Sequence, residues 1–177
     1  MKKLGLGLLL AISVAALAMP ARADIENQLG GGVEFWMTTK NTDAEFVDEM
    51  GYSWMVNYRL KPFEWVAFEL DLEMFPDYFG GYRQDVFAPQ FAVIAGKLLY
   101  GGVGIGTLYS EDSVTDPFYS LRAGVNIPLG SRLCVDASAS YRFMSWNPVK
   151  YEGPQGASEK DLNTDIVTLA AALRLVF

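Results

Sequence analysis

The chain has 177 residues, of which 51% are hydrophobic, and a formal net charge of −7 at pH 7. Such an acidic balance argues against binding nucleic acid, because phosphates require a basic patch. The sequence contains no histidine and a single cysteine. Ser–His hydrolysis and histidine-ligated zinc are therefore excluded, and no disulfide can form within the chain.

The N-terminus has the pattern of a cleaved secretory signal peptide over residues 1–23. Lys2 and Lys3 supply a basic start, an apolar run follows over residues 4–19, and Ala21-Arg22-Ala23 gives a small-x-small cleavage site. This predicts export. The predicted mature chain, residues 24–177, is one domain, and no later segment approaches the roughly 18 apolar residues of a spanning helix. If the exported protein stays in a membrane, it must cross it as strands.

Eight strands are predicted from apolar residues that recur at every second position. The last strand is the clearest, because Leu169, Ala171, Leu173, Leu175 and Phe177 form one unbroken apolar face. The other predicted strands each have a face that is nearly as apolar. In chain order the eight lie at residues 28–38, 52–60, 64–74, 86–95, 98–109, 118–127, 132–144 and 165–177.

Short and long connections alternate between these strands. The short ones lie at residues 61–63, 96–97 and 128–131, where proline and glycine favour turns. The long ones lie at residues 39–51, 75–85, 110–117 and 145–164. This asymmetry is typical of outer-membrane barrels and predicts an all-β fold, an eight-stranded antiparallel transmembrane β-barrel with up-and-down topology.

A soluble lipocalin-like barrel is the main alternative, and it would turn the same apolar faces inward. Two bands of aromatic residues favour the membrane, because aromatic rings collect at the two membrane interfaces. The band toward the long loops contains Trp54, Tyr109, Tyr119, Tyr141 and Phe143. The band toward the short turns contains Tyr58, Phe63, Trp65, Tyr100 and Phe177.

The opposite face of the strands carries the charged residues and is predicted to fill the lumen. These residues are Glu34, Arg59, Glu69, Asp71, Glu73, Arg122, Asp136, Arg142 and Arg174. Because the interior of an eight-stranded barrel only accommodates its own side chains, we expect one network of arginine–carboxylate pairs with trapped water. Glycines on this face, Gly30, Gly32, Gly102, Gly104 and Gly106, would leave room for large neighbours. Cys134 is expected to be a small buried filler on the same face.

The network has two interpretations: structural packing, or a gate whose pairs exchange partners to open a narrow ion path. Carboxylate acid–base chemistry by Glu69, Asp71 and Glu73 is a distant third possibility, since ion pairing explains these residues more simply. No catalytic residue, cofactor site or metal site is predicted. The acidic long loops are either solvated or attract divalent cations at a lipopolysaccharide surface, although they lack the spacing of a calcium-binding loop.

The second long loop is unusually aromatic. Its residues Phe75, Tyr78, Phe79 and Tyr82 are predicted either to cap the barrel mouth or to contact a partner.

The chain resembles the small eight-stranded outer-membrane proteins of the OmpA transmembrane-domain, OmpX and NspA kind. The resemblance rests on the signal peptide, the strand count, the loop asymmetry and the ending Leu173-x-Leu175-x-Phe177, which resembles the signal recognised by the barrel-assembly machinery. It implies a bacterial outer-membrane location and contact with outer-membrane lipid and lipopolysaccharide. Enzymes among such barrels typically use a histidine, so the resemblance implies no enzymatic activity here.

We therefore expect a monomeric barrel with a structural role or a surface-interaction role, in which the long loops contact an extracellular ligand or host surface. A narrow channel gated by the lumen network is the alternative.

Overall fold

The computed structural model describes residues 25–39, 49–76, 79, 85–109, 117–143, 149–151, 160–162 and 165–177. The predicted signal peptide, residues 1–23, and most of the four long connections lie outside these residues. Ten strands are present in the described part of the chain: β1 Glu26–Thr38, β2 Met50–Phe63, β3 Val66–Phe75, β4 Val86–Gly96, β5 Leu99–Gly106, β6 Phe118–Pro128, β7 Leu133–Phe143, β8 Val149–Tyr151, β9 Lys160–Leu162 and β10 Ile166–Val176.

Eight of these strands form a closed antiparallel barrel in the order β1-β10-β7-β6-β5-β4-β3-β2. The last strand closes the barrel against the first, with Gln28 opposite Val176 and Thr38 opposite Ile166. The Phe177 amide donates to the Asn27 carbonyl at 2.9 Å. The short strands β8 and β9 pair with each other, between β7 and β10 along the chain. The predicted eight-stranded barrel is thus confirmed, and β8–β9 is an addition that the sequence pattern did not indicate.

The three short connections lie at one end of the barrel, which we call the turn end; the opposite end is the loop end. Gly96 and Gly130 have φ angles of +133° and +115°, which favour glycine. At Gly96 an added Cβ would also lie 2.2 Å from the Leu99 carbonyl oxygen. These glycines allow β4–β5 and β6–β7 to reverse direction tightly.

The two faces of the barrel wall differ sharply in chemistry. Large apolar side chains point outward in the middle of the strands, including Val56, Leu121, Leu169 and Leu173, whereas all nine charged residues predicted for the lumen point inward and are buried. A soluble barrel would show the reverse, so the lipocalin-like alternative is wrong. An apolar outer surface on a closed barrel is a surface for lipid, because closure leaves no strand edge unpaired in the hydrocarbon. Among the described residues, no helix is long and apolar enough to cross a membrane.

Aromatic side chains are exposed near both ends of the barrel. Trp54 and Tyr119 lie toward the loop end, whereas Phe63, Trp65 and Phe177 lie at the turn end. One member of the predicted turn-end band is misplaced. Tyr100 is only 6% exposed and lies in the lumen, because position 100 belongs to the inward-facing set of β5.

Candidate functional site

The lumen is the candidate site, and its turn-end half holds a balanced set of charges. We call the six residues the lower charge cluster: Arg59, Glu69, Asp71, Arg122, Asp136 and Arg174. All six are at least 94% buried. They come from β2, β3, β6, β7 and β10, and alternation places each on the inner face. Three guanidinium groups therefore balance three carboxylates.

Glu69 is the hub of the lower charge cluster. Its Oε2 accepts from Arg59 Nε at 2.5 Å, and its Oε1 accepts from Arg122 Nη1. Arg174 Nη2 lies 3.1 Å from the same Oε2. One fully buried carboxylate thus contacts three arginines on three strands, which ties opposite sides of the barrel together.

Two further carboxylates complete this cluster. Asp136 Oδ2 lies 3.3 Å from both Arg59 Nη2 and Arg174 Nη1, and Tyr100 donates to its Oδ1 at 2.7 Å. Asp71 accepts from Arg122 Nη2 at 2.9 Å. Arg174 is thus paired both with Asp136 and with Glu69.

Toward the loop end lie three further charges, the upper charge cluster: Glu34, Glu73 and Arg142. Arg142 Nη2 donates to Glu34 Oε1 at 2.9 Å and to Glu73 Oε1 at 2.5 Å. All three side chains are at most 1% exposed. This cluster has two carboxylates for one guanidinium and is therefore not balanced.

An apolar cap covers the upper charge cluster on its loop-end side. It consists of Trp36, Phe75, Phe79, Val86, Ala88, Leu108, Phe118 and Ile166. The Phe79 ring stacks on Phe75 at 4.0 Å and meets Trp36 edge-on at 4.8 Å. The guanidinium carbon of Arg142 lies 5.7 Å and 5.4 Å from the rings of Phe75 and Phe118, within cation–π range.

The cap decides between the two roles predicted for Phe75 and Phe79. Of capping the barrel mouth and contacting a partner, burial favours the first, because both residues are at most 2% exposed and are packed inside the barrel. Packing both rings inside the barrel removes more apolar surface from water than leaving them exposed on a loop would. The two residues therefore cap the mouth from within. Tyr78 and Tyr82 lie outside the described residues.

At the turn end the lumen opens into a vestibule of about 400 Å³. Two ion pairs lie at its rim, Lys61 with Glu26 at 2.8 Å and Lys97 with Glu64. The hydrogen bond from Lys97 holds the pKa of the exposed Glu64 carboxyl below its usual value. Cys134 also lines this vestibule, and its thiol lies 3.9 Å from the Gln28 side-chain oxygen, as expected for a buried filler.

Glycines make room for the largest lumen side chains, but only some at the predicted positions. A Cβ at Gly30 would lie 2.6 Å from Arg174 Cγ, so this predicted glycine does accommodate an arginine. The space for Tyr100 comes instead from Gly124 on β6, where a Cβ would lie 2.5 Å from the Tyr100 ring. The inward position of Gly124 in the period-two pattern of β6 is the signal that could have identified it.

Sequence reasoning also missed the uncharged polar residues of the lumen. Ser140 and Thr168 hydroxyls are hydrogen-bonded at 2.7 Å, and Gln90 donates to Ser120 at 3.1 Å. These pairs lie on the same inner faces as the charges. The alternation along each strand places these residues on the inner face, but which of them pair with each other depends on the register between strands.

The predicted assembly signal lies on the outside of the barrel. Leu173, Leu175 and Phe177 are 53%, 48% and 58% exposed. They form an accessible apolar row on the closing strand. Their recognition by the barrel-assembly machinery stays a prediction.

Comparison with solved structures identifies the fold. Neisserial surface protein A matches with a TM-score of 0.56 at 12% identity, over 86% of this chain and 96% of that one. The chain has the fold of the small eight-stranded outer-membrane β-barrels. OprG from Pseudomonas aeruginosa matches with a TM-score of 0.55 at 9% identity, over 86% and 95% of the two chains. Outer membrane protein AlkL, solved in lipid bilayers, matches with a TM-score of 0.50 at 13% identity, over 89% and 94%.

The sequence matches no protein-family model and no curated protein. At these identities the solved structures establish the fold of the outer-membrane barrel, and what the barrel does must come from its own residues.

Proposed function

We propose that the protein is a non-conducting outer-membrane barrel, delivered by a cleaved signal peptide, that anchors its four long connections at the cell surface. The supporting observation is the filled lumen. Two charge clusters and the apolar cap occupy successive levels between the turn end and the loop end, and nearly every side chain in them is buried. Eight strands leave no further width for a pore beside such side chains.

The surface role is assigned to the long connections because the described residues of the lumen and of the outer wall are accounted for by ion pairing, packing and contact with lipid. Loops on a rigid barrel are suited to binding, since the scaffold fixes where they begin and end. Their many carboxylates suit cation-bridged contact with lipopolysaccharide or a basic patch on a host surface. The barrel itself would act as a monomeric anchor folded by the assembly machinery.

Planar-bilayer recording separates the anchor from a narrow channel. The purified barrel in a lipid bilayer is expected to show no steady single-channel events. Steady events that change with Glu69→Gln or Arg122→Ala, but not with Tyr52→Ala on the outer wall, would overturn the closed-lumen proposal and favour the gated channel. Tyr52 suits this control because it is 70% exposed.

The surface role needs its own test in intact cells. Cells that express a barrel lacking residues 80–84, a deletion that keeps the cap residue Phe79, should lose binding to a lipopolysaccharide or host-cell surface that wild-type cells bind. Heat-modifiable gel migration of the deletion variant verifies that the barrel still folds. Equal binding by both strains would remove the second long loop from the proposed contact surface.

A further inference from the structure

The upper charge cluster has one negative charge too many for a buried site. Glu34 and Glu73 face one arginine, whereas the lower charge cluster has three arginines for three carboxylates. An uncompensated charge in a closed, lipid-surrounded lumen is strongly unfavourable, and such a group is neutralised instead. The charge count therefore requires one unit of positive charge beside these two carboxylates.

We propose that Glu34 and Glu73 form a proton-binding carboxyl pair, which holds one proton in the folded barrel at neutral pH. Their Oε1 atoms both accept from the same nitrogen, Arg142 Nη2, at 2.9 Å and 2.5 Å. The two oxygens are consequently separated by less than the sum of these distances. Two carboxylates this close cannot readily both ionise, and a shared proton relieves the repulsion.

Two oxygens without hydrogen-bond partners, one in the pair and one on the neighbouring strand, suit a bound proton. Glu73 is fully buried, and its Oε2 has no hydrogen-bond partner among the described residues. Ser53 is 1% exposed, its Oγ is likewise unpartnered, and it lies directly opposite Glu34 on β2. An ionised carboxylate only accepts hydrogen bonds, whereas a protonated one also donates, and a serine hydroxyl can do either. The surroundings of the pair thus suit the acid form.

No other charge near the pair removes the imbalance. The nearest further charges are Asp71 on β3 and Arg122 on β6, and these two are paired with each other at 2.9 Å. At this level the neighbouring strands present uncharged side chains on the inner face: Met55 on β2, Ala88 and Gln90 on β4, and Thr168 on β10. The loop-end side is the apolar cap.

A proton fits this site better than a metal ion. Among the described residues, no three His, Cys, Asp or Glu side chains are arranged to hold a metal ion. Loss of the proton would place a second negative charge directly beneath the cap. The carboxyl pair consequently makes the loop-end half of the lumen sensitive to alkaline pH, a property that goes beyond the anchoring role and does not depend on it.

Infrared spectroscopy of the folded barrel in lipid vesicles tests the proposal. At pH 7.5 wild type should show the carbonyl stretch of a protonated carboxyl group, with the usual shift in D₂O, and this band should disappear in both Glu34→Gln and Glu73→Gln. Glu26→Gln, which changes a carboxyl at the vestibule rim, is the matched control and should retain the band. Its absence from wild type, or its persistence in both lumen variants, would overturn the proton assignment.

Two further arms make the result decisive. Because the proposed acid form is neutral, a neutral amide should replace Glu73 with folding intact, as monitored by heat-modifiable gel migration; failure of both glutamine variants to fold would contradict the proposal. Replacing Na⁺ by tetramethylammonium should leave the band and the thermal stability unchanged. If stability instead falls and no protonated carboxyl is seen, the positive charge is a bound sodium ion and the proton assignment is wrong.

Discussion

Glu69→Gln is expected to be the most destabilising of the conservative changes in the lumen. The substitution keeps the size of the side chain and one acceptor oxygen but removes its charge. In the wild-type protein Glu69 accepts from Arg59 and Arg122 and lies 3.1 Å from Arg174. After the change, three guanidinium groups of the lower charge cluster face two carboxylates.

The magnitude follows from what is lost. Removing one partner of a buried ion pair typically costs about 3–5 kcal/mol, because the remaining charge is left uncompensated. A hydrogen bond to a charged group accounts for about 1.5–3 kcal/mol of such a loss. Because glutamine can still accept from one arginine, we expect about 3–5 kcal/mol rather than the sum over three partners.

Urea unfolding in lipid vesicles, followed by tryptophan fluorescence, measures this loss as a change in the free energy of unfolding. Glu26→Gln is the matched control, because Glu26 pairs with Lys61 at 2.8 Å but its side chain is 41% exposed. An exposed pair contributes at most about 1 kcal/mol. If charge balance is the cause, adding Arg174→Met to Glu69→Gln should recover part of the loss. A Glu69→Gln loss no larger than that of Glu26→Gln would refute the reasoning.

Five other substitutions test the packing of the barrel and its position in the membrane in the same unfolding assay. Gly124→Ala places a Cβ 2.5 Å from the Tyr100 ring and should cost about 1–3 kcal/mol, whereas Gly101→Ala, with no contact closer than 3.8 Å, should cost little. Trp36→Ala removes the centre of the apolar cap and should cost about 3–5 kcal/mol; a smaller loss would mean that the cap collapses to fill the space. Leu169→Arg on the lipid face should cost about 2–4 kcal/mol if it lies near the midplane, and Leu175→Arg near the turn end about 0–1 kcal/mol, so equal losses would argue against the assigned membrane position.

The barrel was predictable from the sequence because its wall obeys a strict period of two. Each strand separates lipid from lumen. The pattern from Val167 to Phe177 therefore determines both that this segment is a strand and which of its faces meets lipid. The prediction for Tyr100 was wrong because it did not follow this pattern. Aromatic character suggested an interface position, but the alternation of β5 already placed this residue inside.

The contents of the lumen could be listed from the sequence, but their partners could not. Pairing depends on the register between strands and on side chains that reach across the barrel, as when Arg142 on β7 contacts Glu34 on β1 and Glu73 on β3. A list of five carboxylates and four arginines also gives no indication of where the imbalance lies. Only the geometry assigns it to the loop-end half. The aromatic residues Phe75 and Phe79 were similarly ambiguous, because a loop position in the sequence does not reveal that a side chain turns inward.

Charge in the lumen follows from the requirement that the outside be apolar. If the inner face were apolar too, the two faces of a strand would be equivalent, and a one-residue shift in register would carry no penalty. With charges inside, such a shift would place Glu69 or Arg122 in lipid, so the network specifies sidedness as well as filling space. The same logic limits the network, since every buried charge then needs a partner in the correct strand register. Glu34 and Glu73 depart from that balance immediately beneath an apolar cap, where a bound proton can restore neutrality without adding any bulk to a lumen that is already full.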